Sequence, residues 1–182
     1  LPSPALALLV GVVLASILSA GVAFEQWLAP GTFGIWSVDR PPTSRPFGNV
    51  AQPNHLCTLL FVGLAALALL RQQAFIGSGV TWLASLWLLA AMAASGSRTG
   101  VLQLGAMCAL SYAVRRRMNL ATGARTCTAW ALAYVTFSTL WSPVNVLLYG
   151  ADFGRSLDTA LREGGTRPRQ WAILIDAALR EP

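Results

Sequence analysis

The chain has 182 residues, 55% of them hydrophobic and only 11% charged, with a mean hydropathy of +0.57. The apolar residues fall in long blocks instead of amphipathic stripes, which excludes a soluble core and describes an all-α, polytopic membrane helical bundle. All 13 basic residues are arginine and the net charge is +6, but no basic run is interleaved with aromatics, which excludes a nucleic-acid partner.

Five transmembrane helices are predicted. The first runs from Ala5 to Phe24, ending at Glu25, Gln26 and Trp27; it is too long for a signal core and no charged region precedes it. A proline-rich outer loop, 25–54, follows and carries Trp27 and Trp36, aromatics that favour the headgroup level. The second helix runs from His55 to Leu70, stopped by Arg71, Gln72 and Gln73, and the third from Ala74 to Ser95. The fourth, Val101 to Val114, closes on Arg115, Arg116 and Arg117, and the fifth, Thr128 to Tyr149, contains Pro143, expected to kink it. Cys57, Cys108 and Cys127 fall in or beside these helices, with neither disulfide nor metal spacing. The tail, 150–182, is polar but patterned: Leu157 and Leu161, with Asp158 and Arg162, sit one helical turn apart, and Trp171, Leu174, Ile175, Ala178 and Leu179 share a face. Residues 1–149 are thus expected to form the bundle, and 150–182, with amphipathic surface helices, the start of a large periplasmic segment.

Orientation follows from the short loops. Arg71, Arg115, Arg116, Arg117 and Arg125 share one side with no acidic residue, whereas the other arginines are spread over long segments with all seven acids. The positive-inside rule weighs short loops near helix ends, so the Arg71 side is expected to be cytoplasmic.

The stretch from Arg45 to His55 sets polar and turn-forming residues directly against an apolar run. Pro53 suits a first helical turn, and Gln52 falls where a capping side chain would sit. The amides that begin this helix have no partner within it and carry the positive end of its dipole, which makes an anion site; equally, Gln52 and Asn54 can simply cap the helix while His55 anchors it at the interface. The third and fourth helices are joined by Gly96, Ser97, Arg98, Thr99 and Gly100, a turn too short to leave the membrane. At about 1.5 Å per residue, Arg98 lies roughly 25 Å from Arg115 and His55 roughly 24 Å from Arg71, which puts both near one edge of a ~30 Å hydrocarbon layer. A guanidinium at that depth needs a partner. It can grip an anionic substrate, snorkel to the interface or pair with Asp39, and Arg45 can fold back to the same level or stay in water.

The block Arg45-Pro46-Phe47-Gly48-Asn49-Val50-Ala51-Gln52-Pro53-Asn54-His55-Leu56-Cys57-Thr58, followed by Ser95-Gly96-Ser97-Arg98-Thr99-Gly100, resembles the bacterial O-oligosaccharyltransferases that glycosylate pilins and other proteins, within the O-antigen ligase and polymerase superfamily. The segment from Arg169 through Trp171 to Pro182 also resembles the family's outer region. The resemblance implies a glycosyltransferase of the bacterial inner membrane. It would carry a preassembled glycan from a polyprenyl diphosphate to a Ser or Thr hydroxyl of an acceptor protein, such as a pilin, on the periplasmic side, with no metal and no cofactor. Arg98 and Arg45, with Ser97 and Thr99, would hold the diphosphate; Gln52 and His55 would act in catalysis; Asn49, Pro53 and Asn54 would shape the motif. The family's proposed catalytic His lies in a later outer segment, so this chain, which begins with Leu1, is expected to be a piece of a longer ligase and inactive alone. An O-antigen ligase or polymerase with a lipid-linked acceptor, an anion transporter gated by Arg98 and a non-catalytic scaffold are the alternatives.

Overall fold

The computed structural model describes residues 3–29, 31–38, 45–114, 123–150 and 176. Every regular element among them is helical: α1 Pro4–Leu28, α2 Pro53–Gln72, α3 Ser78–Ala94, α4 Thr99–Val114 and α5 Ala124–Tyr149, with a 3₁₀ turn at Gly34–Trp36. The chain is a helical membrane bundle. α1, α2 and α5 are long and apolar enough to cross a membrane. α3 and α4, of 17 and 16 residues, are shorter; at about 1.5 Å per residue they fall a few ångströms short of the ~30 Å hydrocarbon thickness. Asp39, Arg115, Arg116, Arg117 and the patterned tail, except Asp176, lie outside the described residues.

α2 is the pivot. Leu56, Leu60, Leu64 and Leu67 form a fully buried stripe along it, and it packs on α1, α3 and α4, while α5 closes the ring against α3 and α4. Close approach to α1 is made by small residues: the Ser16 hydroxyl shares its one proton between Val12 O (2.8 Å) and Leu59 O (3.1 Å), and Gly63 lies against Ser16 so tightly that a Cβ there has no room. Small side chains allow such crossings where lipid supplies no hydrophobic drive between helices. On the outer faces Leu8, Leu18, Leu83, Leu102 and Leu147 are strongly exposed, as lipid-facing residues should be.

Several boundaries differ from the sequence reading, each for a physical reason. α1 does not stop at Phe24 but includes Glu25, Gln26 and Trp27, all buried. These polar groups continue the helix because the returning chain satisfies them: Glu25 accepts from Ser37 Oγ (2.7 Å), Thr32 Oγ1 (3.2 Å) and Phe33 N (3.2 Å), and Trp27 Nε1 donates to Asn145 Oδ1 (2.7 Å). α3 begins at Ser78, not Ala74. Ala74 has φ +56, its N–H reaches Arg71 O and that of Phe75 reaches Leu70 O, both at 3.0 Å, so α2 ends in a Schellman motif with alanine where glycine is usual. α5 starts at Ala124, four residues before Thr128, and continues through Pro143 to Gly150 at φ +68.

One end of the bundle gathers the ends of α1, α3 and α5 and the starts of α2 and α4. Tyr149 of α5 donates its hydroxyl to Trp27 O (2.6 Å), and the rings of Trp27 and Trp141 meet at 4.4 Å, tilted by 38°. At the opposite end Ser111 and Cys127 join α4 to α5 (3.1 Å).

Candidate functional site

The site grows from the way α3 stops. Gly96 takes φ +56 and its N–H reaches Ala93 O (2.9 Å), the first half of a Schellman ending. The second half is relayed through a side chain: Ser97 N–H donates to Ser95 Oγ (3.3 Å), whose own hydroxyl donates to Met92 O (2.6 Å). Ser97, buried, then turns to α2, donating its hydroxyl to Asn54 Oδ1 (2.8 Å). Its single hydroxyl proton is thereby used, so in the 2.6 Å contact between Ser97 Oγ and Thr99 Oγ1 the threonine donates. Ser97 also takes the first amides of α4, accepting Thr99 N on its side chain and Gly100 N on its carbonyl, each at 3.3 Å. That carbonyl is further held by the buried Tyr134 hydroxyl of α5 (3.1 Å). Gly100 leaves room for this, since a Cβ there would lie 2.6 Å from Tyr134 Oη and 3.1 Å from Cys57 Sγ.

α2 starts beside this turn. Pro53 occupies its first position, as its missing N–H and fixed φ allow, and Gln52 is the cap residue. The expected capping by Gln52 is not made: its side chain forms no cap hydrogen bond and is exposed. A glutamine is one methylene too long to fold back as Asn or Asp does. Nor does Asn54 cap, since its carbonyl oxygen belongs to Ser97. The amides of Asn54 and His55 thus have no partner within the helix. In α4, by contrast, Ser97 has taken the amides of Thr99 and Gly100.

A polar seam runs inward from here between α2 and α4. Thr58 Oγ1 donates to Asn54 O (3.1 Å), Gln103 Nε2 donates to Thr58 Oγ1 (3.0 Å), and Cys57 Sγ lies 3.9 Å from Gln103 Oε1.

Arg45 folds back to the turn, where its Nη1 donates to Gly96 O at 2.7 Å. The segment after it is clamped by α1: Gln26 Oε1 accepts from Phe47 N (3.1 Å) and Gly48 N (2.9 Å), and Gln26 Nε2 donates to Gly48 O (3.1 Å) and Val38 O (3.0 Å).

The structure therefore joins Asn54, Ser97 and Thr99 in one hydrogen-bonded group and sets Arg45 on the same turn. Arg98, beside Ser97, and Gln52 and His55, flanking Asn54, expose side chains that make no hydrogen bond to any described residue. Asn49 is turned away and donates to Trp36 O (3.0 Å). The sequence reading missed Gln26, Gln103 and Tyr134; a glutamine inside an apolar helix was the available signal for Gln103. Among the described residues no group of His, Cys, Asp and Glu could hold a metal.

Comparison with known families points to this same segment. A family model for a protein glycosylation ligase matches residues 46–70. The match begins one residue after Arg45, runs through the Gln52–His55 start and covers most of α2, so it supports kinship with the O-oligosaccharyltransferases over that stretch alone. No curated protein and no solved structure matches the chain.

Proposed function

We propose that the protein is an O-oligosaccharyltransferase that moves a preassembled glycan from a polyprenyl diphosphate to a Ser or Thr hydroxyl of an acceptor protein, a pilin being one such acceptor. One observation carries this reading: the segment matched by the glycosylation-ligase family is the one fastened to the Arg98 turn, through Asn54 and Ser97. Arg98 follows Ser97 in that turn and Arg45 donates to Gly96 O, so two arginines and a helix start belong to one neighbourhood, which supports a diphosphate as the ligand. The acceptor oxygen would attack the anomeric carbon while the bond from that carbon to the diphosphate breaks. The hydroxyl proton passes to a base, and the negative charge gathering on the departing diphosphate is stabilised by Arg98 and Arg45. His55 is a candidate for handling the proton and Gln52 for orienting the reacting groups. The Arg71 end faces the cytoplasm and the site end the periplasm of a bacterial inner membrane, with 150–182 entering the periplasmic region.

The test is glycan transfer by the full-length protein carrying Arg98→Ala, with donor lipid and acceptor protein supplied separately. Transfer is expected to fall at least tenfold, the effect of losing a charge-assisted contact to the leaving group. Unchanged transfer at normal expression removes Arg98 from the mechanism, and transfer to a lipid-linked acceptor alone reassigns the protein to the O-antigen branch.

A further inference from the structure

We infer that Gln26 is a positioning residue for Arg45, an inference that rests on the transferase reading above. Gln26 lies in the last turn of α1 with its side chain 1% exposed. A primary amide offers two N–H donors and a carbonyl with two lone pairs, and here all four places are filled, each by main chain: Phe47 N, Gly48 N, Gly48 O and Val38 O. A buried amide so completely satisfied holds its partners tightly, because any displacement strands polar groups away from water.

What it holds is the root of Arg45. Between the clamp at Phe47 and Arg45 stands only Pro46, buried and with φ fixed by its ring. The clamp also presses the loop onto the helices: Gly48 has φ +58, and a Cβ there would lie 3.1 Å from both Leu56 Cδ1 and Ser19 O. Arg45 thus leaves a fixed point, passes against Gly96, where a Cβ would lie 2.9 Å from Arg45 Cδ, and donates Nη1 to Gly96 O at 2.7 Å. A guanidinium is planar, so holding Arg45 Cγ and Cδ against Gly96 and Nη1 on Gly96 O together restricts the plane in which its other donors lie. Gln26 acts on substrate through that plane and touches no substrate itself.

The experiment is a kinetic cycle in the full-length protein in its membrane, with the lipid diphosphate donor titrated against Gln26→Met, Arg45→Ala and the double variant. Gln26→Met keeps the size and removes every hydrogen bond. It is expected to raise the donor KM by roughly tenfold, as Arg45→Ala does, with acceptor KM unchanged. In the Arg45→Ala background Gln26→Met should add little. A purely structural role would lower the maximal rate in proportion to folded protein and leave both KM values alone. That result, multiplicative losses in the double variant, or normal transfer by Arg45→Ala would each overturn the inference, while the loss in Arg98→Ala judges the transferase reading separately. Should Gln26→Met fail to accumulate, Gln26→Asn, with its amide withdrawn by one methylene, replaces it. Labelling of Pro46→Cys by a membrane-impermeant maleimide then reports the loop directly. It should be slow with Gln26 and several-fold faster with Gln26→Asn; equal rates would overturn the inference.

Discussion

Replacing Ser97 by alanine should loosen the joint on which the site is built, by an amount that can be worked out in advance. The hydroxyl donates to Asn54 Oδ1 at 2.8 Å, receives Thr99 Oγ1 at 2.6 Å and receives Thr99 N at a weak 3.3 Å. A neutral hydrogen bond contributes about 1 kcal/mol net in water-soluble proteins, and interhelical ones in membranes average nearer 0.6 kcal/mol. Asn54 and Thr99 are both only half-buried, so water can reach the groups left behind and the full cost of an unsatisfied buried group does not apply. Ser97→Ala should therefore destabilise the protein by about 1–2 kcal/mol. Asn54→Ala removes only the link between the helices, and the two changes together should fall short of their sum by ~0.6–1 kcal/mol. The assay is reversible unfolding of the purified protein in detergent micelles for the two single variants and the double. Additivity within ~0.3 kcal/mol would refute the claim that α2 and the α3–α4 turn are fastened at this point.

Two further outcomes test the fold away from the proposed chemistry. Gly100→Ala should destabilise by about 1–3 kcal/mol, because its methyl would lie 2.6 Å from Tyr134 Oη, whereas Gly105→Ala, in the same helix with nothing within 4 Å, should be neutral or stabilising; thermal unfolding that ranks them the other way contradicts the packing. Ala74→Gly should stabilise by about 0.5–1 kcal/mol by relieving an L-residue at φ +56, and a melting temperature at or below the parent's would show that the Schellman ending of α2 is absent.

How far these features could be read from the chain depended on whether their cause was local. The start of α2 was legible because Pro53 carries its own reason to stand there, and the short turn around Arg98 because a glycine flanks it on each side. The true end of α1 was not, since Glu25 and Gln26 look like interfacial residues until their partners arrive from Ser37, Phe47 and Gly48. The start of α3 was hidden by an alanine in the left-handed conformation, although Gly77 marked the spot, and Gly123 marked the start of α5 in the same way. At the site, the sequence named Asn54 and Ser97 but could not pair them. Nor could it decide whether Arg45 folded back, because the acceptor is a main-chain carbonyl, Gly96 O, that any residue would supply.

Gln26 recognises only peptide groups, so the loop it supports can change nearly every side chain and keep its course. Arg45, Pro46 and Gly48, the last wedged against Ser19 O, are the exceptions. Mutational drift could thus remodel the side chains that the rest of the loop, through residue 50, displays to a glycan while the scaffold stays as it is, a route by which related chains could diverge in specificity without first losing their fold.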